Sequence, residues 1–231
     1  MGIANRTEPL LPPKIRDFAA GLGATGSPSM SSVMLTQSGT MRDRPSARTM
    51  RFSARQTINL RRLEFEWRAS IGPLGCISVI DELNDEGAAL EARVFHAFRI
   101  ANVKGGAPLT KGEIMRYLAE IAWAPDAILA NPSLDWTVLD DQTLRVGAGH
   151  GTARGVVEFR LDESGRIASV TAQDRPRKEG AAFVERPWRG RFFDYREHEG
   201  RLLPFQGEVG WVLDGQMFVA WRGRILSWGF A

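Results

Sequence analysis

From Ser32 onward apolar and polar residues alternate with a period of two, and the alternation persists through most of the chain. Val33, Leu35, Gln37 and Gly39 share one face of a first strand, and "ARTMRFSARQTINL" follows with Phe52, Ala54, Ile58 and Leu60 on one side. In "RRLEFEWRASIG", Leu63, Phe65, Trp67, Ala69 and Ile71 alternate with Glu64, Glu66, Arg68 and Ser70. Such a strand has one face buried and one wet. "GCISVIDEL", the turn "NDEG" and "AALEARVFHAFRIANV" predict an antiparallel pair, with His96 on the inward face beside Val94, Phe98 and Ile100.

Later segments keep the same rhythm: "DWTVLD", "QTLRVGA", "GVVEFRL", the turn "DESG", "RIASVTAQ", and four closing strands from "WRGRFFDYREH" to "RILSWGF". "DRPRKEGAAFVERP" lacks periodicity and predicts an exposed loop. Roughly 11 to 13 strands result, too many for a flat sheet, so the fold class is mainly β (α+β): a strongly curved antiparallel sheet or open barrel. No repeat or linker interrupts it, and residues 1–231 are expected to form a single domain.

Two segments break the pattern. Within residues 1–30, "PPKIRDFAAGLGA" predicts a short N-terminal helix with Pro13 in its first turn, followed by the loop "TGSPSMSS". Within residues 110–130, "GEIMRYLAEIAWAPDAIL" predicts a central helical lid. Ile114, Tyr117, Leu118 and Ile121 form its apolar face, while Glu113, Arg116 and Glu120 gather opposite at spacings that let Arg116 touch both carboxylates. Thr110 and Glu113 have capping-box spacing, and Pro125 ends the helix. Trp123 falls near Arg116 on the polar side, which is therefore expected to be half covered, since a tryptophan carries a large apolar area.

The last hairpin, if Asp214-Gly215 is its loop, pairs Trp211 with Phe218 and Glu208 with Trp221. Val209, Trp211, Phe218 and Ala220 then share one face, and Val212, Met217, Val219 and Trp221 the other. With both faces apolar, either helices cover the second one or it lines an apolar cavity.

Lys+Arg 30 against Asp+Glu 27 gives +3, spread along the chain without a basic block, so no nucleic-acid partner is expected. Cys76 is single, excluding an internal disulfide, and is read as a buried thiol. His96, His150 and His198 have unrelated spacings, and no metal site or cofactor is expected. His150 is read in a Gly-rich turn and His198 as an exposed turn residue. No apolar run approaches the roughly 18 residues of a membrane span, and the start "MGIANRTEPLLPPKIRDF" has no apolar core, predicting a cytoplasmic protein without a transmembrane segment.

"GEIMRYLAEIAWAPDAIL", "PWRGRFFDYREHEGRLLPFQGEVGW" and "WRGRI" resemble a bacterial family of unknown function that shares an R-Y-L-A-E-x-x-W-x-P core and a Y-R…G…P…G-E-V-x-W tail. The resemblance runs from "PPKIRDF" to the end and maps onto Arg116, Tyr117, Glu120, Trp123, Pro125, Tyr195, Arg196, Gly207, Glu208 and Trp211. It implies kinship without a reaction. The order of elements also resembles the open barrel of Lol-type lipoprotein carriers, which implies an apolar concavity. The expected ligand-binding residues are Arg116, Tyr117, Glu120, Trp123, His96, Tyr195, Glu208, Trp211 and Trp221, the expected partner a lipid-like or other apolar small molecule, and the expected role non-enzymatic binding. Two alternatives stand beside it: an enzyme using Glu120 or His96 as acid/base, or a structural polar cluster in which Arg116 buttresses the strands of Tyr195 and Glu208.

Overall fold

The computed structural model describes residues 11–26, 29–95 and 97–231. Helix α1 (Pro13–Gly21) precedes strands β1 (Ser32–Met41), β2 (Met50–Asn59), β3 (Phe65–Ile71), β4 (Ile77–Asn84), β5 (Gly87–Val94) and β6 (Phe98–Lys104). Helix α2 (Ala107–Glu120), a 3₁₀ turn (Ile121–Trp123) and the one-turn α3 (Ala127–Ala130) follow. The chain then runs through β7 (Asp135–Val138), β8 (Thr143–His150), β9 (Ala153–Leu161), β10 (Ile167–Glu179), β11 (Ala182–His198), β12 (Arg201–Leu213) and β13 (Gln216–Phe230).

All 13 strands belong to one antiparallel sheet ordered β6-β5-β4-β3-β2-β1-β13-β12-β11-β10-β9-β8-β7. Every neighbouring pair is also consecutive in sequence except β1 and β13, where the second limb returns beside the first. The sheet curls into a half-barrel around α2, which packs against β8, β9 and β10 on one side and β4 and β5 on the other. Alternation decides which side chains enter the concavity. Phe65, Trp67, Ala69 and Ile71 of β3 are buried and stand opposite Ile58, Gln56, Ala54 and Phe52 of β2.

The structure revises several sequence expectations. "DRPRKEGAAFVERP" is not a loop: it forms the end of β10 and the start of β11, joined by a tight turn at Gly180-Ala181, and its two halves pair with each other, from Arg175 with Arg186 to Glu179 with Ala182, although its own pattern is weak. The expected long strand through His96 breaks into β5 and β6, with Phe95 at φ 51 in the turn; Phe98 and Ile100 are 70% and 59% exposed, so their face does not point inward. His96 itself lies outside the described residues. Cys76 is half-buried, its thiol 3.9 Å from the carbonyl of Ile71. His198 sits at the end of β11, half-buried between Phe205 and Trp228, with Nε2 3.0 Å from the Trp228 carbonyl.

The last hairpin turns at Asp214-Gly215, both at positive φ as a type I′ turn requires, and Trp211 faces Phe218. Beyond that the register differs from the predicted one. A bulge between Val209 and Gly210 places Trp221 opposite Val209 and Glu208 opposite Arg222. Gly210 permits it, because a Cβ there would overlap the Phe218 carbonyl. The extra residue transfers Trp221 to the face of Val209 and Trp211, inside the concavity.

Candidate functional site

Helix α2 begins three residues before Thr110, at Ala107, with Gly106 at φ 88 as its N-cap and Pro108 in the first turn. The predicted Thr110–Glu113 capping box does not form: proline is pre-set for a helical first turn, so the start moves upstream and buries both residues. The helix ends at Glu120, and Ala124, at φ −135 before Pro125, stops the 3₁₀ turn after it. The segment is a brace packed inside the cup, with Glu113, Ile114, Tyr117, Leu118 and Glu120 all buried.

Its polar side is joined to the sheet. Arg116 donates from Nε to Glu120 Oε1 (2.8 Å) and from a terminal nitrogen to Asp81 Oδ2 (2.5 Å). Its guanidinium also lies 4.7 Å from the ring centre of Phe65 and 5.2 Å from that of Trp67, adding cation–π attraction. A hydrogen-bond chain arrives at Glu120 from three strands. Trp67 Nε1 donates to Gln37 (2.9 Å), Gln37 to Gln56 (2.9 Å), and Gln56 to Glu120 Oε2 (2.5 Å). Both oxygens of Glu120 are thus occupied by protein.

Beside this network lies a cavity of about 230 Å³. Trp67, Trp123, Trp188, Phe192 and Trp221 form aromatic walls, and Met41, Val79, Leu90 and Val209 aliphatic ones. Gln37, Asp81, Arg116, Glu120 and Arg175 supply its polar atoms. Trp123 is fixed at both ends: Nε1 donates to the Pro204 carbonyl (2.8 Å), and its own carbonyl accepts from Trp228 Nε1 (2.7 Å). Its ring packs edge-on against Phe192 and Trp221.

Burial governs the ionisation of this cluster. It raises Asp81 above the usual carboxylate range against the pull of Arg116, and raises Glu113 to about 8, helped by the neighbouring Asp81 charge. For Arg116, burial opposes the charge but Glu120, Asp81 and Glu113 outweigh it and hold its pKa above the ordinary value. Arg175 has its pKa lowered, first by burial.

Residues 4–223 match the family described as "Family of unknown function (DUF6544)". The chain belongs to this family. No curated protein matches it in sequence. Among solved structures, this DUF6544 chain is similar to a "putative outer membrane lipoprotein-sorting protein domain" from Vibrio parahaemolyticus, at TM-score 0.52 and 9% identity over 94% of this chain and 91% of that one. It is also similar to a DUF1329 family protein from Desulfovibrio piger, at TM-score 0.52 and 8% identity over 94% and 91% of the two chains. These likenesses establish a shared curled-sheet fold.

Of the residues singled out in the DUF6544 sequence, Arg116, Glu120, Trp123 and Trp221 meet at the cavity. Tyr117 lies behind it, its hydroxyl donating to the Asn59 carbonyl (2.8 Å) and accepting from Asn131 (2.9 Å). Trp211 stands behind Arg175 rather than in the wall. Tyr195 is elsewhere on β11, donating to the Ile167 carbonyl (2.8 Å). Glu208 is on the opposite face from Val209, clasped by Arg191 and Arg222. Arg116 therefore does not buttress Tyr195 or Glu208; it braces β3 and β4, because the polar side of α2 that carries it faces the first limb. Asp81, Gln37, Gln56 and Arg175 were missed. A glutamine at the buried phase of β1 and of β2 was the available signal; nothing local marked Arg175. Among the described residues no group of three His, Cys, Asp or Glu side chains is placed to hold a metal ion, and no helix is long and apolar enough to cross a membrane.

Proposed function

We propose that the protein holds a largely apolar small molecule, lipid-like in character, in the cavity between α2 and the concave sheet, without transforming it. The carrying observation is the cavity itself: space of about 230 Å³, bounded mainly by aromatic and aliphatic side chains whose positions are set by hydrogen bonds and packing. An engineered apolar cavity of roughly 150 Å³ accommodates benzene, so a molecule somewhat larger fits here. The lipoprotein-sorting description of the Vibrio parahaemolyticus domain supports the same class of ligand. Acid/base chemistry at Glu120 is disfavoured by its geometry, since Arg116 and Gln56 occupy both oxygens.

Native mass spectrometry of the purified protein, followed by solvent extraction, tests the proposal. A bound mass released by extraction, or uptake of an environment-sensitive naphthylamine probe by the emptied protein, supports it. Protein that emerges empty in repeated preparations and takes up no apolar probe overturns it.

A further inference from the structure

We propose that the occupant of the cup is a monoanionic amphiphile, a medium-chain carboxylic acid, whose carboxylate pairs with Arg175 while its chain lies among the tryptophans. This rests on the cavity-binding reading above and specifies its ligand.

The observation that singles out Arg175 is the state of its neighbours. Among the described residues its side chain makes no hydrogen bond or ion pair, and its Nε is fully buried without a partner. Its guanidinium lies 4.6 Å from the ring centre of Trp188 and 5.8 Å from that of Trp211, where β10 loses register with β11 between Ala172 and Arg175. Irregularities of this kind re-aim a side chain, and here the side chain reaches the cavity. Arginine cannot shed its proton to escape the cost of burial, and cation–π contacts leave its donors unsatisfied.

The protein's own carboxylates do not supply the missing acceptor. Asp81 Oδ2 and Glu120 Oε1 are held by Arg116, and Glu113, Asp81 and Glu120 act on Arg175 only through space. A planar carboxylate matches the guanidinium fork in two parallel hydrogen bonds. The charge of the ligand is limited by a second buried group. Asp81 is 7% exposed and lines the same cavity, and its buried Oδ1 has no hydrogen-bond partner. One arginine without an acceptor, set among under-bonded carboxylates at Asp81 and Glu113, favours a single negative charge over the near-double charge of a phosphate monoester. Apolar walls and about 230 Å³ then favour a saturated chain of medium length.

Isothermal titration of the full chain with decanoate, decanol and decyl phosphate tests the assignment. The expected result is that decanoate binds at least roughly tenfold tighter than decanol and tighter than decyl phosphate, and that Arg175→Met abolishes the preference for decanoate. Equal binding of decanoate and decanol leaves the cavity reading standing and overturns the carboxylate assignment. Tighter binding of decyl phosphate, or a folded Arg175→Met protein that still prefers decanoate, overturns it as well. If none of the three binds and the naphthylamine probe is also refused, both readings fall. Should Arg175→Met not fold, the comparison of the three ligands on the unaltered protein decides alone.

Discussion

The indole of Trp221 lies over the α-carbon of Gly223, two residues along the same strand, so closely that a Cβ at position 223 would overlap the ring. The bulge beside Gly210 brings Trp221 into the cup, and Gly223 leaves room for it to lie flat, stacked on Phe52 with centroids 5.7 Å apart. Gly223→Ala is expected to push the indole into the cavity and destabilise the protein by about 1–3 kcal/mol. Thermal unfolding reads the loss, and a shift in tryptophan emission reads the displacement.

Arg116 binds two buried carboxylates, and removing it strands both. Arg116→Met is expected to cost about 3–5 kcal/mol, far above the fraction of a kcal/mol typical of an exposed helix ion pair. Adding Asp81→Asn and Glu120→Gln should recover part of that loss by removing the orphaned charges. Urea unfolding of the single and triple variants checks both statements.

A pH effect follows from Glu113. Its carboxyl is raised from 4.5 to about 8 by burial, so between those values the folded protein keeps a proton that the unfolded chain has released. Stability is fully present below the lower value and is lost as pH rises, by up to about 1.4 kcal/mol per pH unit for one proton. Asp81, also raised, adds in the same direction. Urea unfolding at about pH 5 and about pH 8 should show this decline, and Glu113→Gln should flatten it. An unchanged slope in Glu113→Gln would count against the assignment.

Asp126 behaves oppositely. Burial works against its charge, but Arg201 and Thr25 outweigh it and hold its carboxyl below the usual range. Arg201 donates to both oxygens (2.9 and 2.8 Å), and the Thr25 amide adds a third bond (3.0 Å), tying the segment after α2 to β12 and to the loop after α1. This contribution is present above the ordinary aspartate pKa and lost as pH falls through the depressed one. Asp126→Ala is expected to cost about 3–5 kcal/mol near neutrality, and less in acid, by the same unfolding assay.

What the residue pattern could reveal divides along physical lines. Period-two alternation made β3 and the Asp214-Gly215 turn legible, because burial of one face and positive φ impose strict local demands. Arg116, Glu120 and Trp123 were readable as a group, since helical spacing alone brings them together. Asp81 and Arg175 were not: each enters the site from a different limb of the sheet, and only the curl of the sheet makes them neighbours. Trp221 was assigned to the wrong face because one bulge reverses the phase of everything beyond it. The strands at "DRPRKEGAAFVERP" carry no alternation of their own, because they extend the β10–β11 hairpin beyond its half-buried part and pair only with each other.

The seam between β1 and β13 imposes an order on folding. Thr36 and Ser227 hydrogen-bond across it although they are 191 positions apart, whereas every other strand pair is a local meander. Each limb can assemble by short-range hairpin closure, but joining them closes a loop nearly the length of the chain, the costly and slow kind of contact. On a ribosome, the cup cannot close until β13 has been made, because the strand that completes its middle follows all the other strands of the sheet.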